Sequence, residues 1–396
     1  MGKEIRAITY RLYPNKGQEV KLNHFLDVTR NVYNRLVEIC RKHVEKQIPF
    51  PSEFDLKHMV TKIRNRNEWM KDVYSQCCLA TATRVHNSFE AWMKRHKDGV
   101  GFPRFKSWKM FDSFTYSQPN GFSFVGKNGE KEKRERIRFG MLGLLKFSNP
   151  YVIKGKCKTA TIFRRRFGDH FEWYVCITYE NECYMKDILN VDPIGERKDV
   201  GIDLGLENLA VLSDGNIIPN DHTYKKKEKD LARQQRIMSK YEKDTFEYQK
   251  QLTKLSHKFK KLSNHRKDIF HKTSRTITES YRNIIMEDLS VKEMTEDSFK
   301  GMRKSYRDAG WAKFTGMIRY KAAEAGNQVI FVNPAYTSQL CSSCGTLVPK
   351  DLSERDHICP QCGLMMSRDR NAAINILNRG LGLQTEAGNS LKCHEG

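Results

Sequence analysis

Apolar and polar residues alternate through "EIRAITYRLYP" (residues 4–14), and Pro14 ends the run, the pattern of one β-strand and its stop. From Gln18 to about Lys97 the spacing becomes helical. Leu22, Phe25, Leu26, Val32, Leu36 and Ile39 recur every three or four residues, as do Val85, Phe89 and Trp92. Pro49 and Pro51 divide this stretch into at least two helical parts. After Gly99 short alternating segments return between glycine and asparagine turns: "SFTYSQPNGFSFVG", "RIRFG", "TATIFRRRF" and "FEWYVCITYE". They predict a small antiparallel sheet or barrel, with the N-terminal strand paired into it and the helical part as an insertion.

A third texture begins at Lys198. "DVGIDLGLENLAVLSDGNII" predicts two strands joined by a turn, and a long polar helical stretch runs from about Tyr224 to Tyr281. The apolar run "NIIMEDL", a helix from about Trp311 to Ala325, the strand "QVIFVNP" and a last helix complete a mixed α/β order. No internal repeat is evident, and the tail after Gly380 is weakly patterned.

Composition narrows the class. At 396 residues the chain is long enough for several domains, and 39% apolar content supports real cores. Lys and Arg number 70 against 47 Asp and Glu, a formal net charge of +23, which points to a polyanionic partner. No stretch approaches a membrane span, the N-terminus lacks an apolar signal core, and Arg6 stands where a myristoylation signal needs Ser or Thr. Of 11 cysteines, Cys40, Cys77, Cys78, Cys157 and Cys176 lie in apolar runs and read as reduced core residues of a cytoplasmic protein.

Four others are paired. Cys341, Cys344, Cys359 and Cys362 follow C-x2-C-x14-C-x2-C, a four-thiolate zinc spacing. Gly345 and Gly363 follow the second cysteine of each pair, where a positive φ is often needed. Disulfides or idle thiols are the alternatives, and both suit a cytosolic chain with repeated spacing poorly. Four thiolates fill a tetrahedral shell, so the expected zinc is structural.

Three carboxylates stand where charge needs a reason. Asp203 lies within the apolar strand "VGIDLG", Glu287 ends "IIMEDL", and Asp369 opens the helix "SRDRNAAINIL". Asp288 should point to the opposite face from Glu287 because strand side chains alternate. Singly, each acid could be a strand-end residue, an ion-pair partner or a helix cap. Together they match the layout of an RNase H-like nuclease, in which repelling carboxylates share two Mg²⁺ ions.

From Asp199 to Gly380 the chain resembles the RuvC-type nuclease of the TnpB family, transposon-encoded RNA-guided nucleases related to small type V CRISPR effectors. The carrying segments are "GIDLGLENLAVLSDG", "IIMEDLSV", "DAGWAKFTGMIRYKAAEAG", "YTSQLCSSCG", the second cysteine pair and "RDRNAAINIL". "YRLYPNKGQE", "NVYNRL" and "GFPRFKS" extend the likeness into the N-terminal half. The resemblance implies catalytic, Mg²⁺-binding roles for Asp203, Glu287 and Asp369, and zinc ligation by the four cysteines. Many members carry a further acid two residues before the last aspartate; here that position is Ser367.

The implied architecture is a wedge β domain (1–15 and 99–197, a β-barrel) carrying a helical recognition insertion (16–98). An RNase H-like (RuvC) nuclease (198–338 and 366–396) follows, with an inserted zinc ribbon that binds target nucleic acid (339–365). The implied partners are a guide RNA and target DNA, with no membrane, in a prokaryotic cytoplasm and at the nucleoid when bound to DNA. By the same resemblance "YSQCCL" and "SFTYSQPN" read a short DNA motif, through Ser75, Gln76, Leu79, Thr115 and Asn120. "GFPRFKSWK" interleaves Phe102, Phe105 and Trp108 with Arg104, Lys106 and Lys109, a composition suited either to base stacking or to a buried β edge. The arginines of "FRRRF", Arg165 among them, suit phosphate contacts. Leu252, Leu255, Phe259 and Leu262 form a seam between helical arms, with Lys254, Lys258 and Lys261 off it, either as a solvated face or in contact with a guide–target duplex. The expected activity is RNA-guided, Mg²⁺-dependent DNA cleavage. A non-cleaving RNA-guided repressor and an RNase H-like strand transferase are the alternatives.

Overall fold

The computed structural model describes residues 4–125, 135–148, 153, 155–181, 198–290, 300–351 and 354–382, so the tail beyond Gly382 lies outside the described residues. The chain divides into two compact units, Met1–Cys183 and Tyr184–Gly396.

In the first unit β1 (Glu4–Tyr13) is followed by helices α1 (Lys16–Glu45), α2 (Glu53–Asn65) and α3 (Ser75–Arg95). Strands β2 (Ser113–Tyr116), β3 (Phe122–Val125), β4 (Glu135–Phe139), β5 (Gly143–Phe147), β6 (Lys156–Phe167) and β7 (His170–Asn181) come next. The strands form one antiparallel sheet in the order β2-β6-β7-β1-β5-β4-β3, so β1 sits at its centre and the helices are an insertion after it. Asn15 and Ser52 start α1 and α2 with reciprocal capping boxes to Gln18 and Asp55. The helical stripe Leu22, Phe25, Leu26, Val32 and Leu36 is buried, and Phe25 meets Phe114 of β2 with ring centroids 5.2 Å apart. Ladder pairing stops at β2 and β3, so among the described residues the strands do not close a hydrogen-bonded barrel, contrary to the expected β-barrel. The helical turn Pro119–Gly121 separates these two strands. One side-chain bond reaches across from β2, Tyr116 Oη to the carbonyl of Gly140 just past β4 (2.8 Å).

In the second unit β8 (Lys198–Asp203), β9 (Asn208–Leu212) and β10 (Ile217–Pro219) form an antiparallel meander, one strand more than the pattern predicts. The long polar stretch is two helices, α4 (Thr223–Met238) and α5 (Phe246–Ser280), packed on each other. Then come β11 (Tyr281–Glu287), α6 (Lys300–Ala309), α7 (Trp311–Glu324), β12 (Gln328–Val332), the ribbon β13 (Asp356–Ile358) and β14 (Met365–Ser367), and α8 (Arg368–Gly380). The sheet order is β10-β9-β8-β11-β12, with β8, β11 and β12 parallel. The seam between α4 and α5 is only partly as expected. Leu255 is buried, but Phe259 is 39% exposed, while Gln234–Gln251 and Asp230–Lys258 contacts (2.9 and 2.6 Å) join the arms.

Strand alternation assigns two faces to this sheet. Val200, Ile202, Ile284 and Met286 point into a core with Phe270, Ile277, Phe314 and Ile318 of α5 and α7. Ile285, Val332 and Ile376 form the core of the other face, under α8. That face has an extreme close approach: a Cβ on Gly201 would lie 2.0 Å from the Ala373 carbonyl oxygen and 2.7 Å from the Leu377 nitrogen. Glycine in "VGID" and the alanine pair in "RNAA" are therefore one packing solution, read from two ends of the chain.

Gly201→Ala is expected to destabilise the second unit by about 1–3 kcal/mol or more, because backbone must move. Gly316→Ala, in exposed mid-helix with nothing within 4 Å of the added methyl, is expected to stabilise it by up to about 1 kcal/mol. Urea unfolding of the two variants beside the parent checks both signs.

Candidate active site and metal centre

Asp203 is the last residue of β8 and Glu287 the last of β11, so both lie at the carboxyl ends of neighbouring parallel strands. They follow directly on the registered pair Ile202–Met286. Alternation puts them on the α8 face, since Gly201 and Ile285 are two residues earlier on each strand. Ser367 is the N-cap of α8, its hydroxyl accepting from Arg370 N–H at 3.4 Å, and Asp369 lies in the first turn. The close approach at Gly201 thus delivers Asp369 to the two strand acids. Burial first, then the charges of Glu287 and Asp369, push the Asp203 carboxyl well above its ordinary range, and Arg368 pulls it partly back. Burial likewise raises Glu287, opposed by a hydrogen bond from Thr337 and by Arg379. Asp288 is exposed, and its N–H donates to the Val332 carbonyl at 2.9 Å.

The cysteines form two equivalent knuckles. Gly345 N–H donates to the Cys341 carbonyl (2.9 Å) and Gly363 N–H to the Cys359 carbonyl (3.0 Å). Both glycines have the expected positive φ, 75° and 73°. The sulfur pairs Cys341–Cys362 and Cys344–Cys359 are each 3.6 Å apart, too far for a disulfide bond of about 2.05 Å. A tetrahedral ion with Zn–S bonds of about 2.3 Å needs sulfurs about 3.8 Å apart, so these side chains fit zinc. Among the described residues the four cysteines offer ligand atoms that all lie within 4.8 Å of one another. Among the other described thiols Cys40, Cys77 and Cys78 are buried core groups, and burial pushes Cys40 up to about 12 and Cys78 up to about 11.

Helix α8 joins the two centres. Asn371 donates to the Leu340 carbonyl (2.7 Å) and accepts from Ser342 N–H (2.9 Å), gripping the first knuckle on both sides of Cys341. One turn on, Asn375 donates to the carbonyls of Thr337 (2.8 Å) and Leu340 (2.7 Å), and Arg379 reaches that of Ala335 (3.0 Å). Asn371, Asn375 and Arg379 recur every four residues, so a polar helical stripe was legible in the sequence. Its target was not.

In the first unit the residues proposed for motif reading come together at one edge. Ser75 and Gln76 open α3, and Ser117, just past β2, lies 3.5 Å from Gln76 Oε1. Thr115 on β2 shares a 3.0 Å hydroxyl contact with Thr161, Asn120 is exposed in the following turn, and Leu79 is half-buried against the core. The "GFPRFKSWK" segment splits. Phe102 packs on Phe89 and Trp92, whereas Phe105 and Trp108 are 50% and 54% exposed. Arg104 is exposed, and the Lys106 backbone is clasped by the Asn34 amide at 2.8 and 3.0 Å. The expectation of phosphate contacts from "FRRRF" does not hold for Arg164. It is buried to 9% exposure and bound to Asp112 (3.1 Å), Asn23 (2.7 Å) and the Trp108 carbonyl (2.9 Å). Arg165 is exposed and lies over the rings of Phe163 and Tyr174 at 5.1 and 5.5 Å.

Among the described residues no helix is long and apolar enough to cross a membrane. Three family models match the chain: a helix-turn-helix domain over residues 1–48, a probable transposase over 178–297, and a Cas12f1-like TNB domain over 311–376. Within 1–48 the structure has β1 and the single long helix α1. The chain is 29% identical to the putative RNA-guided DNA endonuclease InsQ of Escherichia coli K12, over 96% of this chain and 93% of that one. It is 27% identical to a putative RNA-guided DNA endonuclease of Streptomyces pristinaespiralis, over 95% and 89%. In fold it is a multi-domain α/β protein similar to Cas12f1 in its cryo-EM complex with sgRNA and target DNA. That match has a TM-score of 0.59 at 15% identity and covers 95% of this chain and 99% of that one. The matched models and relatives are those of the TnpB family and its Cas12f kin.

Two outcomes follow from the geometry. Elemental analysis should find about one zinc per chain, and Cys359→Ser should lose it; a full zinc complement in that variant would exclude the cysteine set. The second concerns Asp203. A carboxyl raised on folding binds its proton more tightly in the folded than in the unfolded chain. Ionising it therefore costs stability as pH rises from the unfolded value of about 3.9 through the folded one. Asp203→Asn should raise the melting temperature in EDTA at pH 8, by roughly 2–4 °C for each kcal/mol relieved in a unit of this size. The gain should shrink near pH 4 and on adding Mg²⁺, which calorimetry can follow.

Proposed function

We propose that the chain is an RNA-guided DNA endonuclease that cuts beside a short recognised motif by two-metal-ion hydrolysis. The observation that carries the proposal is the meeting of Asp203, Glu287 and Asp369 on one face of the sheet, with Asp203 and Glu287 held above their ordinary range. An arrangement that disfavours its own charge is suited to cations. Such Mg²⁺ ions would activate a water and stabilise the leaving 3′ oxygen. Asp203 at the end of β8, Glu287 at the end of β11 and Asp369 in the first turn of α8 would hold the ions. Arg368 and Arg379 offset part of the negative charge from outside.

The full-length relatives named as RNA-guided DNA endonucleases support a guide RNA and target DNA as partners. In this reading the first unit is the wedge with its helical recognition insertion. Its α3–β2 edge, with Ser75, Gln76, Leu79, Thr115 and Asn120, reads the motif. Arg104, Lys106 and Arg165 hold nucleic-acid backbone. The second unit is an RNase H-like nuclease, a reading supported by its three-strand meander followed by two parallel strands. The knuckles form its inserted zinc ribbon.

Asp203→Ala, Glu287→Ala and Asp369→Ala should each reduce cleavage by about 10³-fold or more, about 4 kcal/mol on the barrier. Groups that act as a unit do not add, so the triple variant should be little worse. Guide-dependent DNA binding should survive in all of them. Asp288→Ala should be far milder, and Ser367→Asp should change little, because aspartate also caps a helix. Side-by-side cleavage and gel-shift assays decide it. An Asp369→Ala protein that cuts while Asp288→Ala does not would overturn the assignment, and joining to a free 3′ hydroxyl would show a strand transferase.

A further inference from the structure

We infer that Thr337 is a positioning residue for Glu287, and that it is held in place by the same helix that grips the first cysteine knuckle. The inference rests on the acid cluster proposed above and deepens it. Thr337 is 4% exposed, and its hydroxyl lies 2.5 Å from Glu287 Oε1 and 3.0 Å from the Pro334 carbonyl. A hydroxyl has one proton to give. Toward an ionised Glu287 the proton goes to the carboxylate, and Oε1 is fixed as an acceptor while the carboxylate keeps lone pairs for a cation. Thr337 itself has little freedom. Its carbonyl accepts from Asn375 at 2.8 Å, and the same amide holds the Leu340 carbonyl at 2.7 Å, one residue before Cys341. The connected path is Cys341 knuckle, Leu340 carbonyl, Asn375, Thr337, Glu287. The path runs from the cysteine knuckle through Asn375 of α8 to Glu287 of β11, so the orientation of a carboxylate on the sheet is set by a segment anchored at the cysteine cluster. Serine could supply the hydroxyl; valine could supply only the shape.

The test uses the full-length protein with its guide RNA and measures Mn²⁺ binding by electron paramagnetic resonance, which needs no cleavage. Thr337→Val should weaken Mn²⁺ binding about 10-fold, the usual scale for an outer partner of a metal ligand. Thr337→Ser should stay within about twofold of the parent. Zinc content and guide-dependent DNA binding should be unchanged in both. Asn375→Ala, which frees the Thr337 carbonyl but leaves the hydroxyl in place, should weaken Mn²⁺ binding in the same direction and serves if the valine variant does not fold. Parent-like Mn²⁺ affinity in Thr337→Val, or equal losses in Thr337→Ser and Thr337→Val, would overturn the role of the hydroxyl. Glu287→Ala separates the two levels. If it too binds Mn²⁺ like the parent, the acid assignment itself fails; if it alone loses binding, only the positioning role does.

Discussion

The second unit depends on how closely its last helix lies on its first strand. With the Ala373 carbonyl 2.0 Å from where a Gly201 Cβ would be, no side chain can stand between β8 and α8. At that separation the apolar face of the helix, Ala372, Ala373 and Ile376, is buried against the sheet. The helix can then be neither raised nor rotated much, and both of its ends become informative. The start of the helix carries Asp369 to the ends of β8 and β11. Along its polar side Asn371 and Asn375 take hold of the loop that enters the cysteine knuckles. At its far end Gly380 sits where a Cβ would lie 2.5 Å from Ile285.

A site assembled this way is paid for in stability. Asp203 and Glu287 are half-buried carboxylates within one another's fields, and burial raises both. The surrounding fold must supply what the cluster takes away. It does so through two apolar cores on opposite faces of one sheet and through two knuckles whose four thiolates suit a tetrahedral ion. The cysteine cluster and the acid cluster are therefore not independent modules. The chain leaves the sheet at β12, folds the knuckles, and returns in α8, whose side chains bond back to the segment it left by.

The first unit shows how similar residues can have different work. Arg164 and Arg165 are neighbours in a basic run, yet one is a buried strut tying β6 to Asp112 and Asn23, and the other lies exposed over aromatic rings. Phe102 and Phe105 divide in the same way, one packed on Trp92 and the other half exposed. A strand's alternation separates the arginines; an irregular segment separates the rings, and only the surfaces they meet decide which is core.

Periodicity determined most elements of this protein from sequence alone, because period two and period 3.6 survive in the order of apolar residues. β1 stopping before Pro14, the helices after it, the apolar strands bearing Asp203 and Glu287, and the last helix are all local patterns. Cysteine spacing determined the knuckles for a related reason: two residues between thiols is a property of one turn. Tertiary structure decided what no local pattern encodes. It broke the long helical stretch into α4 and α5, added β10 to the meander, and left the first sheet open between β2 and β3. It also made Thr337, an unremarked residue in "YTSQL", the hydrogen-bond partner of an acid 50 residues earlier in the chain. Such contacts depend on which backbone comes within reach after packing, as the last helix comes within reach of β8 where Gly201 has no Cβ.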